Sequence, residues 1–426
     1  MEPKWRLFIT RDAAAVVLIV LLWCRAVGQL IVLSLTAEKS FVAIGQDEVT
    51  SPAASLTSQG FFLLAIAFAV GVILFNINDI TRPGLWRIML VLAPWLWMVA
   101  RDAYSGSASA DSVLYVAVIL ALAALRPHPR ILGALGFVVV LTAALAILFG
   151  FLLPDAGLLR EADGAVRERS DKEILPGLGL LQGMFTSENN LGQYLSMGIA
   201  AVLMIPKWWQ RCAGLAIVGF AIIWSASRSS LVTMVGVLAV GSVVWLIIEF
   251  RRRKLASIAA RVAIGGSVLV MCALPLMGWS NDAFTARGQI WNGSLEEWSS
   301  RAFLFGLGRE WYTQIAGTVT SPLNSAAYHG HNQFVQLLVT GGVVLGILAV
   351  AWLLVQAYAI TEPTNRYLVI TAILVVGIAL GGLLEVPLGF VDRSAFWTVT
   401  VVPLAVFFFA RPRDTAIPDT RIAIRR

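Results

Sequence analysis

Apolar runs long enough to cross a bilayer recur from end to end of this 426-residue chain, and they leave it few folds to adopt. A hydrocarbon layer roughly 30 Å thick takes about 20 apolar residues per helix. About twelve such runs are present, some of them short, so the chain is expected to be an all-α polytopic membrane protein. Hydrophobic residues make up 58% of it and charged residues 13%, a balance no soluble fold carries.

Charge orients the expected bundle. With the N-terminus inside, the cytoplasmic segments hold Lys4, Arg6 and Arg11, then Arg82 and Arg87, Arg126 and Arg130, Lys207 and Arg211. They also hold the cluster Arg251 to Lys254, Arg261, Arg366 and the arginines from Arg411 onward. Most of the 32 lysines and arginines therefore lie on one side. That bias predicts an even number of crossings with both termini cytoplasmic. The net charge of +7 is a topology signal and implies no nucleic-acid partner.

The chain reads as one membrane domain over 1–426. Cys24, Cys212 and Cys272 fall within apolar runs, and no pair has zinc or redox spacing. The N-terminus resembles a signal peptide, but Arg25 interrupts its apolar run, so an uncleaved first helix is expected. No internal repeat is visible, which gives an inverted-repeat transporter no support. Two outside segments stand apart. The first, 154–189, is charge-dense from Arg160 to Glu173 and is expected to be a solvated loop or lid. The second, 279–333, joins the ninth and tenth spans. Phe284, Trp291, Leu295 and Trp298 recur there at helical spacing, between Arg287, Glu296 and Glu297. This predicts a short amphipathic helix along the outer interface, with its tryptophans at headgroup depth.

Two of the three histidines, His329 and His331, sit in Tyr328-His329-Gly330-His331-Asn332, where that second loop opens an apolar helix. A titratable base at the mouth of a membrane helix suits proton transfer at the bilayer surface. A structural histidine capping the helix is the plainer alternative. A metal pair is disfavoured because no Cys, and no Asp or Glu nearby in sequence, completes a ligand set. Outside arginines run against the charge bias and need a reason. Arg228 sits in the hairpin Ser225-Ala226-Ser227-Arg228-Ser229-Ser230. It either snorkels to headgroups or forms an anion site with the flanking serines and the next helix's N-terminus. Arg287 and Arg309 add two more guanidinium groups, whose fork matches a pyrophosphate. Arg25 is costly in mid-bilayer unless paired or facing a cavity.

Four local matches, in order, make the chain resemble the O-antigen ligase and polymerase superfamily. They are Gly183-Met184-Phe185 followed by Asn190-Leu191-Gly192; Ser227-Arg228 between two spans; Arg287 and Trp291 before Gly306-Leu307-Gly308; and His331-Asn332, then nine residues, then Gly342. They cover about Gly183 to Gly346, and the N-terminal half matches only in hydropathy. One departure is visible. The family's second small residue usually follows that glycine by three positions, where this chain has Leu345 and then Gly346.

The resemblance implies a GT-C-like glycosyltransferase of the bacterial inner membrane. It would move a glycan from an undecaprenyl-diphosphate donor to an acceptor hydroxyl on the outer side, inverting the anomeric centre, with no metal or other cofactor. It implies that Arg228 and Arg287, with Arg309 as a possible third, hold the diphosphate and that His331 assists the acceptor. Asn190, His329 and Asn332 would support them. A transporter or flippase of lipid-linked glycans is the alternative. Such a protein places polar residues near the midplane of several helices. Here the exceptional residues cluster at one face, with Arg25 the clear midplane charge.

Overall fold

The computed structural model describes residues 10–37, 51–159, 172–316, 323, 327–391 and 394–417. Among these residues the secondary structure is helical, with only two isolated β-bridges. The N-terminal half holds α1 (Arg11–Trp23), α2 (Gln29–Thr36), α3 (Pro52–Phe75), α4 (Leu85–Tyr104), α5 (Val113–Leu125), α6 (Leu132–Leu152) and the single turn α7 (Pro154–Gly157). The C-terminal half holds α8 (Glu188–Val202), α9 (Trp208–Ser225), α10 (Arg228–Glu249), α11 (Arg253–Ala273), α12 (Ala283–Arg301) and α13 (Trp311–Ala316). It ends with α14 (Gln333–Ile360), α15 (Leu368–Gly381), α16 (Val401–Phe409) and α17 (Pro412–Thr415).

Among the described residues, six helical stretches are long and apolar enough to cross a membrane: Arg11–Thr36, Pro52–Phe75, Pro129–Leu152, Arg228–Glu249, Arg253–Leu276 and Gln333–Ile360. Shorter apolar helices, Val113–Leu125 and Leu368–Gly381, pack among them. Helices suit this chain because a backbone in lipid must bond to itself. α5 and α15 are buried over most of their length and form the centre of the bundle.

The two ends of the bundle differ in chemistry. At one end arginines serve as helix caps. Arg87 donates to Phe408 O at 3.0 Å and Arg126 to Phe409 O at 3.3 Å, where α16 runs out of partners for its last carbonyls. Arg253 likewise donates to Pro363 O and Asn365 O at 2.9 and 2.7 Å. Arg11 and Arg82 both pair with Asp79. The basic residues that the sequence places on one side thus satisfy backbone as well.

The other end carries the ends of α2, α4, α9, α11 and α15 and the starts of α3, α5, α8, α10 and α14. Here α14 is broken. Gly342 has φ 73° and ψ −173°, a conformation essentially confined to glycine. The segment between α12 and α13 lies in the break. Leu307 N donates to Val339 O at 2.6 Å and Val343 N to Phe303 O at 3.1 Å, so the opened helix keeps its bonds. Gly306-Leu307-Gly308 and Gly342, distant in sequence, therefore form one feature. A Cβ at Gly342 would lie 2.0 Å from Leu304 O. At Gly346 it would meet only side chains, the nearest at 3.2 Å.

Gly342→Ala is expected to destabilise the fold by about 1–3 kcal/mol or more, and Gly346→Ala by less. Thermal unfolding in detergent reads both. Equal melting temperatures for the two variants would contradict this account of the break.

The outer segment differs from its sequence expectation. α12 does form, but Phe284, Thr285 and Ala286 have positive φ, so its right-handed part begins at Arg287. Trp291 is fully buried and Trp298 nearly so. Both pack with Trp311, Tyr312, Val335, Leu338 and Val339 in a second hydrophobic core beneath the loop. The apolar face of α12 thus meets α14 and α13 rather than headgroups. Burying two indoles against the protein removes more apolar surface from water than the interface would. The charge-dense stretch from Arg160, expected as a lid, lies mostly outside the described residues. Lys172, near its end, pairs with Glu188 at the start of α8.

Candidate active site

Asn332 sets the geometry. Its Oδ1 accepts from Phe334 N at 2.8 Å and Val335 N at 3.0 Å, capping α14. Its Nδ2 donates to Met271 O at 3.1 Å and Leu383 O at 3.0 Å, which clamps the ends of α11 and α15 against α14. Gln333 extends the clamp. Its backbone N–H donates to Gly382 O at 2.8 Å, its Nε2 donates to Leu388 O, and its Oε1 accepts from Leu388 N. The chain from Gly382 to Leu388 is held against the histidine turn as a result. The helix cap is thus Asn332, and His331 does not serve as one.

Glu385 lies in that clamped segment. It is almost completely buried, and among the described residues Arg287, His329 and His331 face it. Arg287 Nη2 donates to Glu385 Oε1 at 2.7 Å. His331 Nδ1 stands 3.6 Å from Oε2 and His329 Nε2 stands 3.9 Å from it. The two imidazoles lie 4.0 Å apart, centre to centre. His331 N donates to His329 Nδ1 at 3.2 Å, which assigns the neutral His329 proton to Nε2, facing the carboxylate. His331 itself has φ 44°, a left-handed conformation that non-glycine residues rarely adopt. Strain of this kind gathers at functional sites. Gly330 between the histidines fits under Tyr312, where a Cβ would come within 2.8 Å of the phenol oxygen. Tyr312 donates to Ser294 Oγ at 3.1 Å, and burial pushes its phenol up, so it stays neutral.

Glu385 escaped the sequence analysis. It ends an apolar run, far from the histidines in sequence. A signal was present: it is the one carboxylate between Glu362 and Asp392, and isolated charges in apolar surroundings mark functional sites. Its position also removes the stated objection to a metal, because it supplies the missing carboxylate. One ligand atom from each of His329, His331 and Glu385 falls within 4.8 Å of the others. The guanidinium of Arg287 on the same carboxylate opposes a second cation there.

The remaining predicted site residues are placed as follows. Arg228 is the first residue of α10 and is exposed. The flanking serines do not join it as donors. Ser225, Ser227, Ser229 and Ser230 are buried, with Ser227 Oγ 2.8 Å from Ser230 Oγ and 3.2 Å from Ser229 Oγ. The reason is close packing. Gly192 of α8 lies against Ser227 and Ser230. α10 runs antiparallel to α15, with Gly236 against Leu380 and Gly241 against Ile373. That register brings the start of α10 level with the segment that carries Glu385.

Arg309 lies elsewhere. Its Nε is 3.5 Å from the buried Asp102 Oδ2, and its Nη2 donates to Ser107 O and Glu310 Oε1. Arg101 of α4 is 3.7 Å from the same aspartate and donates to Gly306 O at 3.2 Å. Arg309 thus ties the loop to the end of α4. Asn190 donates to Thr186 Oγ1 at 3.0 Å within the first turn of α8, whose N-cap is Ser187.

The structure therefore gathers Arg287, His329 and His331 about Glu385, at the end of the bundle where α10 begins with Arg228. No curated protein matches the chain. Residues 213–350 match the family model for O-antigen ligase. That window holds Arg228, Arg287, Arg309, His329 and His331, while Glu385 lies beyond it. Over this window, about a third of the chain, the protein is similar to the O-antigen ligase family.

Proposed function

We propose that this multi-pass membrane protein transfers a glycan from a polyprenyl-diphosphate donor to an acceptor hydroxyl on the outer face of the inner membrane. The observation that carries the proposal is the set of His331, His329 and Arg287 about one buried carboxylate, inside or beside the family match. Both termini lie in the cytoplasm in this assignment, as the one-sided distribution of arginines requires.

The chemistry follows from the geometry. Glu385 Oε2 faces His331 Nδ1 at 3.6 Å and favours a proton on that nitrogen, which leaves the Nε2 lone pair as the base. Nε2 takes the proton of the acceptor hydroxyl as its oxygen bonds to the anomeric carbon. The bond from that carbon to the diphosphate oxygen breaks, and the electron pair leaves with the diphosphate. Attack opposite the leaving group inverts the centre. Arg228 and Arg287 stabilise the charge that grows on the leaving group. Arg228 adds the N-terminal dipole of α10. Arg287 brings a guanidinium already fixed by Glu385, so little ordering is needed on binding. A flippase would need no base, and the His331–Glu385 pair favours transfer over transport.

Transfer from a purified lipid-linked donor in detergent tests the proposal. Arg228→Ala and Arg287→Ala are each expected to lower turnover by roughly 10²–10³-fold, as loss of one charge-stabilising group does. Wild-type protein that moves donor across vesicles without transferring it would overturn the enzyme assignment in favour of the flippase.

A further inference from the structure

Arg25 plays no part in the chemistry above, yet a charge inside a membrane span needs a reason. α1 and α2 form one rod, joined by a π turn at Cys24–Gly28 that contains Arg25. Such turns insert an extra residue into a helix and recur at functional sites. Arg25 is 9% exposed. Its Nη2 donates to Asp111 Oδ2 at 3.1 Å, and its guanidinium lies 5.1 Å from the centre of the Phe62 ring. Asp111 belongs to the turn between α4 and α5, at the same end of the bundle as the histidines.

Besides pairing with Asp111, Arg25 lines a cavity of about 370 Å³ between α2 and α3, together with Gln29, Ser55, Ser58 and Gln59 and the apolar Leu30 and Leu33. The size is that of small-ligand sites. Its chemistry narrows the ligand. Among the described residues that line it the charges of Arg25 and Asp111 balance, and Gln29, Ser55, Ser58 and Gln59 add donors and acceptors. An anion would meet the Asp111 carboxylate. A lipid tail would leave hydroxyls and amides without partners. A neutral polyol satisfies them, with one hydroxyl accepting from the guanidinium and its neighbour donating to the carboxylate. Phe62, Leu30 and Leu33 add apolar lining for the C–H side of a sugar.

We propose that this cavity is a saccharide-binding subsite, taking one sugar unit of the donor or acceptor glycan. The inference rests on the transferase function proposed above, and the fold links the two places. Ser34 Oγ at the end of α2 donates to Met184 O at 3.2 Å. Met184 leads into α8, whose Gly192 lies against Ser227 and Ser230 beside Arg228.

The test uses the full chain in detergent and, as probe, oligosaccharide released by mild acid from the producing cell's surface glycan. Saturation-transfer NMR reads binding. Ser58→Trp fills the cavity and is expected to weaken binding by about tenfold or more, while Ser58→Ala, which keeps the space and removes one hydroxyl, weakens it less. Arg228→Ala is also expected to bind the probe as wild type does, because the subsite is separate from the diphosphate site. In transfer assays Ser58→Trp is expected to raise KM with kcat kept. A rise in acceptor KM assigns the sugar to the acceptor, and a rise in donor KM assigns it to the donor. Unchanged probe binding by Ser58→Trp would overturn the subsite. So would occupation by phosphatidylglycerol micelles with no binding of oligosaccharide. If wild-type protein transfers nothing but still binds the probe through Ser58, the transferase function fails and the subsite stands.

Discussion

His331→Ala is expected to lower glycan transfer by roughly 10²–10⁴-fold, the usual worth of a general base. Folding should survive, because the cap of α14 is Asn332 and the second core does not include His331. Alanine keeps the backbone strain at φ 44° and glycine relieves it, so His331→Gly serves as a second variant with a relaxed turn. Both variants should be equally inactive. His329→Ala should lose less, because its imidazole stands farther from Glu385 Oε2, at 3.9 Å against 3.6 Å. All assays run with and without EDTA. Near-normal turnover by His331→Ala would eliminate the base assignment. Activity lost in EDTA alone would turn the His329, His331 and Glu385 group into a metal centre.

Glu385→Gln should be nearly as damaging, with a fall of roughly 10²-fold or more, as when the carboxylate that orients a catalytic imidazole is lost. The substitution keeps size and one acceptor for Arg287 but removes the charge that both histidines face. Glu385 is a positioning residue, since it acts through His331 and Arg287. A double variant separates that role from a structural one. Residues that act as one unit are not additive, so Glu385→Gln with His331→Ala should be little worse than His331→Ala alone. Multiplying losses would show that Glu385 acts independently of the histidine. A lowered melting temperature with kcat intact would reduce it to a structural ion pair.

Membrane character was legible in the sequence because apolar length is a local property that the bilayer imposes on each segment. The basic bias was legible for the same reason, although its second use as helix caps was not: Arg87 meets Phe408 only after folding. The surroundings of the tryptophans in α12 were not legible. Helical spacing shows that Trp291 and Trp298 share a face, and only packing shows what that face meets. The serines around Arg228 fall in the same class. Composition makes them donors, and close approach by Gly192 occupies them with one another.

By itself the sequence determined an all-helical membrane chain, named Arg228, Arg287 and the His329–His331 turn as candidates, and carried the likeness of residues 213–350 to the O-antigen ligase family. The tertiary structure alone decided that Glu385 joins Arg287 to both histidines, that Arg309 turns instead to Asp102, and that Arg25 borders a cavity. The physical reason is the range of the interactions. Hydropathy and charge bias act on each segment against the solvent around it, so they can be read one segment at a time. An ion pair between residues 98 positions apart depends on where two helices end relative to each other, and packing alone sets that.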